Sequence, residues 1–312
     1  MKRFKNILCL TDNSKGERAV LARTAQLASD NGAKLTLFDT IDTEDYASSN
    51  PATRSTLEAI LTERLKQRRK ELEALRKKEL AKHRELRIEI EIQTGSRARS
   101  TIHAVLKRRY DLVVKAAEGG SDRLRILFGS TDQTLMRKCP CPVWIIKPTR
   151  KRRFHKILAA VDLNPAEPTT GLLAQQIVSL ATSLAKMEQA ELHVFHAWRL
   201  AGEYKLRGRE IYASKVDKLL EEIRSAHQVE LDALLRHHPY DRRTVHLLKG
   251  RAGQLIPRAV EKLGIDLIVI GTIGRSGVPG LLIGNTAETV LHSVDCSVFT
   301  LKPEGFISPL QA

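Results

Sequence analysis

The sequence predicts an α/β protein built as two tandem, doubly wound parallel-sheet domains. The first sign is length: 312 residues, about twice the ~150 of an average domain. The second is duplication. Arg3-Phe4-Lys5-Asn6-Ile7-Leu8 returns as Arg153-Phe154-His155-Lys156-Ile157-Leu158, Asp111-Leu112-Val113-Val114 as Asp266-Leu267-Ile268-Val269, and Cys141-Pro142-Val143-Trp144 as Cys296-Ser297-Val298-Phe299. The third is the alternation, inside each copy, of short apolar runs with longer helical stretches, the pattern of strands joined by crossover helices. The copies are assigned to residues 1–149 and 153–305, with Thr149-Arg150-Lys151-Arg152-Arg153 as a short solvated joint.

The elements follow in order. Asn6–Thr11 and Lys156–Val161 are apolar runs suited to strands buried on both faces. Helix-start signals come next: Ser14-Lys15-Gly16-Glu17 has capping-box form, and Asn164-Pro165-Ala166-Glu167 offers Asn at the cap, Pro at the first turn and Glu behind it. Second strands are expected at Lys34–Thr40 and Glu191–Ala197, then long charged helices near 54–85 and 209–236. Third strands (Arg87–Gln93, Arg242–Leu248) run into Gly95 and Gly250. A short helix, a fourth strand (Leu112–Ala116, Leu267–Ile270), a loop, a last helix and a fifth strand (Val143–Lys147, Val298–Lys302) complete each copy. In such sheets ligands bind at the carboxyl ends of the strands.

Composition narrows the function classes. With 42% hydrophobic and 28% charged residues the chain is an ordinary globular one. No apolar window reaches the ~20 residues of a membrane span, and the start lacks a signal-peptide run, so a cytoplasmic setting is expected. Four cysteines without a CxxC pair agree with a reducing compartment. The net charge of +16 resides mainly in the first copy, where residues 1–150 hold 31 Lys and Arg against 19 Asp and Glu. A nucleic acid or another anionic ligand is the alternative partner this charge suggests. Within 54–91, however, the basic residues mix with Glu58, Glu63, Glu71 and Glu73 at helical spacing and no aromatics interleave, which favours a solvated helix face.

The loops after the first strands fit neither a phosphate-binding P-loop nor a GxGxxG turn. Glycines cluster instead after the fourth strand of the second copy, in Gly271-Thr272-Ile273-Gly274-Arg275, and again at Gly284-Asn285-Thr286. Gly271 and Gly274 allow close backbone approach, Gly284-Asn285-Thr286 opens the last helix toward an anion, and Arg275 adds a charge-assisted contact.

The spacing Gly271-x2-Gly274-x9-Gly284 is similar to the ATP-binding signature of the universal stress protein family. The two-copy chain, with Lys138-Cys139-Pro140-Cys141-Pro142 closing the first copy, resembles that family's tandem-domain, E-type members. The resemblance implies Rossmann-like five-stranded sheets packed as a pseudo-dimer through their fifth strands, and a stress-response role. It implies ATP or AMP as ligand, with Mg²⁺ as companion, and carries the nucleotide contacts to Ala160, Asp162, Ala197 and Ile270 beside Gly271, Gly274, Arg275, Gly284, Asn285 and Thr286. Asn285 stands where the family signature has Ser or Thr. A structural reading stands beside each contact: Asp162 as an Asx turn and the glycines as turn geometry alone.

The first copy departs further. Asp12, Gly119, Gly129 and Ser130 match, but Ala116 replaces the first glycine, Lys115 replaces the apolar wall, and Glu118 brings negative charge. A nucleotide, a different anion and a packing role stay open there. His237-His238, with His227 and His246, are expected as exposed loop histidines rather than a metal site, and Cys139, Cys141 and Cys296 as packing thiols. No catalytic constellation is assigned; slow ATP hydrolysis is kept as an alternative to a purely regulatory nucleotide, and a homodimer and an unspecified protein partner as possible assemblies.

Overall fold

The computed structural model describes residues 3–14, 16–43, 51–118, 128–147, 153–163, 168–207, 213–238, 240–272 and 284–311. These fall into two compact units: Met1–Arg150 with Phe306–Ala312, and a second formed from Lys151 onward to Gly305. In the first, strands β1 (Asn6–Leu10), β2 (Lys34–Ile41), β3 (Ile88–Thr94), β4 (Leu112–Ala116) and β5 (Val143–Ile146) alternate with helices α1 (Glu17–Asn31), α2 (Pro51–Glu79), α3 (Arg97–Arg108) and α4 (Ser130–Lys138). In the second, β6 (Lys156–Val161), β7 (Glu191–Trp198), β8 (Val245–Lys249), β9 (Leu267–Gly271) and β10 (Ser297–Leu301) alternate with α5 (Pro168–Glu188), α6 (Glu203–Arg207), α7 (Ala213–Leu235), α8 (Ala252–Leu263) and α9 (Asn285–Ser293).

Each unit holds one parallel sheet, ordered β3-β2-β1-β4-β5 in the first and β8-β7-β6-β9-β10 in the second. The order reverses beside β1 and β6, which opens a crevice at their carboxyl ends. The central strands are buried from end to end, which is why they are continuous apolar runs.

The duplicated residues do duplicated work. Asp111, just before β4, accepts the Lys5 and Asn6 N–H groups at 2.6 and 3.1 Å; Asp266 accepts those of His155 and Lys156 at 2.7 and 3.2 Å. Each carboxylate therefore sets the register between the first and fourth strands. After the third strands, Gly95 and Gly250 take φ of 109° and 146°, a left-handed region that favours glycine, and donate to the last carbonyls of the second strands, Ile41 and Trp198.

One expectation needs correction. The first helix begins at Glu17, not in a capping box at Ser14, and no side chain caps it. The Glu17 carboxylate reaches past Ser14 to the Asp12 and Asn13 N–H groups at 3.1 and 3.0 Å, because Arg68 draws it toward the sheet. The start proposed at Asn164–Glu167 lies outside the described residues.

Each unit carries one tryptophan, Trp144 in β5 and Trp198 in β7, so a Trp144→Phe background isolates the second unit's fluorescence. Phe195 is fully buried in β7. In that background Phe195→Ala should lower the urea stability reported by Trp198 by about 3–5 kcal/mol, while truncation of exposed Leu172 should change it by less than about 0.5.

Candidate functional site

The carboxyl edge of the second sheet brings together residues from three strands and a helix. Ala160 pairs with Ile270 across β6 and β9, both buried, and they share a face of the sheet. Asp162 follows β6 directly and is exposed. Ala197, half-buried, lies near the end of β7 beyond the Val161–His196 pair. Gly284, the cap of α9, is tied to the end of β9 by its N–H donating to the Thr272 carbonyl at 2.9 Å. Gly284 has no side chain with which to cap α9, and exposed Thr286 and half-buried Glu288 stand in the helix's first turn. Ala160, Ile270, Asp162 and the start of α9 thus lie at the carboxyl edge of one sheet. Gly274, Arg275 and the Asn285 side chain lie outside the described atoms.

Gly271 has a packing reason for being glycine. A Cβ there would meet Leu173 Cδ2 of α5 at 2.8 Å, so the helix approaches the strand more closely than a side chain allows. The glycine spacing therefore mixes a packing requirement at 271 with an edge position at 284.

The first unit arranges the equivalent edge differently. Asp12 makes an Asx turn, accepting the Ser14 N–H at 3.0 Å. Lys115, buried within β4, is ion-paired with buried Asp132 of α4. Asp132 also accepts the Gly129 and Glu118 N–H groups at 3.2 and 2.9 Å, and the Glu118 carboxylate accepts the Thr131 N–H at 3.2 Å. Ser130, exposed, opens α4 at Gly129; Gly119 lies outside the described residues.

His237 and His238 lie in the turn after α7 as expected, but His227 and His246 overturn the loop expectation. His227 lies in α7 and His246 in β8, and each meets a buried histidine of β7: His196 Nε2 to His227 Nδ1 is 2.9 Å, and His193 Nδ1 to His246 Nε2 is 3.1 Å. Helical periodicity in α7 and alternation in β8 were the signals that could have found them. His196 Nδ1 also lies 3.2 Å from the Val161 carbonyl, next to Asp162. The same strand-to-helix contact in the first unit is ionic: Arg68 of α2 binds Asp39 of β2 at 2.5 Å and Glu17 at 3.1 Å. Among the described residues no group of three or more potential metal ligands forms.

Two further regions bear on the alternatives. On α2, Arg64 and Lys66 sit 3.7 and 3.9 Å from Glu71 and Glu63, so part of its basic charge is met by its own acids. A cavity of about 440 Å³ opens beyond β7 and β8, lined by Arg199, Glu203, Tyr204, Gly250 and Arg251 among others, and no residue singled out from the sequence as a ligand contact lines it. Cys139 and Cys141 are buried, with sulfurs 3.6 Å apart, Cys9 and Cys296 are buried as well, and none of the four is in a disulfide. No described helix is long and apolar enough to cross a membrane.

The universal stress protein family model matches twice, over residues 3–147 and 153–302. The chain belongs to the universal stress protein family. Universal stress protein E of Photorhabdus laumondii is 26% identical over 321 residues, covering 100% of this chain and 99% of its own. Universal stress protein E of Escherichia coli K12 is 31% identical over 232 residues, 72% of this chain and 71% of its own. A solved protein of unknown function from Pseudomonas aeruginosa PAO1 superposes with a TM-score of 0.72 at 25% identity, covering 99% of this chain and 96% of its own. The tandem arrangement of two universal stress domains is therefore shared along the full chain.

Burial lowers the pKa of His193 and of His246 below the usual 6.5, with His193 adding to the effect at His246. The folded unit thus holds both neutral, whereas the unfolded chain takes up protons below pH 6.5, so acid favours unfolding. The Trp198-reported thermal midpoint should fall between pH 7.5 and 5.5, and His246→Gln should flatten that fall.

Proposed function

We propose that the second unit binds one adenine nucleotide, ATP or AMP, as a regulatory ligand in a cytoplasmic stress response. The observation that carries this reading is the uncapped start of α9 at Gly284, beside exposed Asp162 and the apolar floor of Ala160 and Ile270. A helix start offers unpaired N–H groups and positive dipole to phosphate, and a carboxylate at a strand end accepts ribose hydroxyls. Ala197 flanks the base, and the glycine-bearing segment through Gly274 and Arg275 contacts the phosphates. Membership in the universal stress protein family supports the stress role.

Binding, rather than turnover, is the proposed activity: Asp162 is the acid that the family resemblance carries to the nucleotide, and no second acid or base is assigned to act with it. Nucleotide occupancy would then act by altering which partner protein the second unit meets. Asp162 is the carboxylate available to a Mg²⁺ arriving with ATP.

Native mass spectrometry with ATP should show one retained nucleotide per chain and no accumulation of ADP. Gly284→Trp should abolish retention, and Asp162→Ala should weaken it by about tenfold, the loss of one hydrogen-bonded charge of ~1.4 kcal/mol. Undiminished retention in both variants would move the ligand elsewhere.

A further inference from the structure

The two copies differ most where their last helices begin. In register, Lys115 and Asp132 of the first unit correspond to Ile270 and Ala287 of the second, and Glu118 corresponds to Ile273 by sequence. All of Lys115, Asp132, Ile270 and Ala287 are buried. Three charged groups in one copy have therefore been exchanged, as a set, for three apolar ones in the other.

The charged set closes on itself. Asp132 lies at the third position of α4 and turns back to the Gly129 N–H at 3.2 Å, so that orphan donor is taken. Two positions on, the Thr131 N–H is taken by Glu118 Oε2 at 3.2 Å. Glu118 Oε1 lies 3.5 Å from Lys115 Nζ, which also holds Asp132. The fit around Gly129 is tight: a Cβ there would fall 2.1 Å from Glu118 Oε2 and 2.6 Å from Glu118 Cβ. Glycine at 129 thus makes room for a carboxylate of this same chain. A negative group at a helix start is favourable, and a second one arriving beside it meets like-charge repulsion in a partly buried place.

We infer that Glu118 is the built-in anion of the first unit: its carboxylate occupies the α4 start that a phosphate would need, and so restricts phosphate-bearing ligands to the second unit. The inference rests on reading the second unit's α9 start as a phosphate seat, but it makes a claim about the first unit that is tested separately. Glu118 is a specificity-determining residue in this account, because it sets which of two homologous crevices accepts an anion. Lys115 and Asp132 hold it in position and supply no free positive charge, since they neutralise each other.

The test uses the full chain with Gly284→Trp, which blocks the second unit, and inorganic pyrophosphate as probe, followed by isothermal titration calorimetry. With Glu118 present, no binding is expected. Glu118→Gly should expose the Thr131 N–H and bind about one pyrophosphate per chain, at least about tenfold tighter than the Glu118 protein, in line with one helix-start charge. Glu118→Gln, which keeps an acceptor for Thr131 but removes the charge, should fall between. Far-ultraviolet circular dichroism and a cooperative thermal transition verify that each variant is folded. Equal pyrophosphate binding with and without Glu118, or none in folded Glu118→Gly, overturns the inference. Two ATP molecules on the unsubstituted chain would overturn it while leaving the nucleotide reading intact; none on that chain would overturn the nucleotide reading alone, because the pyrophosphate titration stands independently.

Discussion

A helix that starts at the carboxyl edge of a parallel sheet leaves N–H groups that must find negative partners, and much of this protein's edge chemistry turns on that requirement. In the first unit, side chains meet it: Asp132 and Glu118 between them accept the Gly129 and Thr131 donors. In the second, the cap residue Gly284 has no side chain, and the positions of Asp132 and Glu118 are held by the apolar Ala287 and Ile273. The same backbone therefore yields a satisfied, charge-locked edge in one copy and an open, apolar-floored edge in the other. Burying Lys115 with Asp132 carries a desolvation cost, which full hydrogen bonding of the carboxylate offsets.

The contact between the second strand and the long helix diverges in a parallel way. Arg68 fastens α2 to Asp39 and Glu17, and through Glu17 to the turn bearing Asp12. That link is permanently charged on the arginine side. In the second unit the link is His196 with His227, and His196 is in turn within reach of the Val161 carbonyl. The joint is thus an imidazole pair in one copy and a guanidinium–carboxylate pair in the other.

The architecture was legible because it depends on patterns that survive divergence. Apolar runs such as Lys156–Val161 and Leu112–Ala116 became strands with the expected limits, and the repeated Asp111 and Asp266 proved to be register clasps. Glu118 could be flagged from sequence as hostile to phosphate, yet its seat on Thr131 required knowing how closely β4's end approaches α4. The histidine pairs were hidden for a different reason. His193 and His246 lie 53 positions apart, and only the pairing of β7 with β8 makes them neighbours. Gly271 was read as ligand approach, whereas Leu173 of α5 also presses on it, a tertiary fact with no local signature.

The final residues introduce a topological asymmetry. Phe306–Ala312 belong to the first unit, where buried Ser308 donates its hydroxyl to the Lys138 carbonyl at the end of α4 at 2.7 Å. The first unit is thus discontinuous along the chain. During synthesis the amino-terminal half emerges first yet lacks the strap that covers its last helix, while the carboxyl-terminal half is fully translated before that strap exists. The half made first is consequently the half completed last.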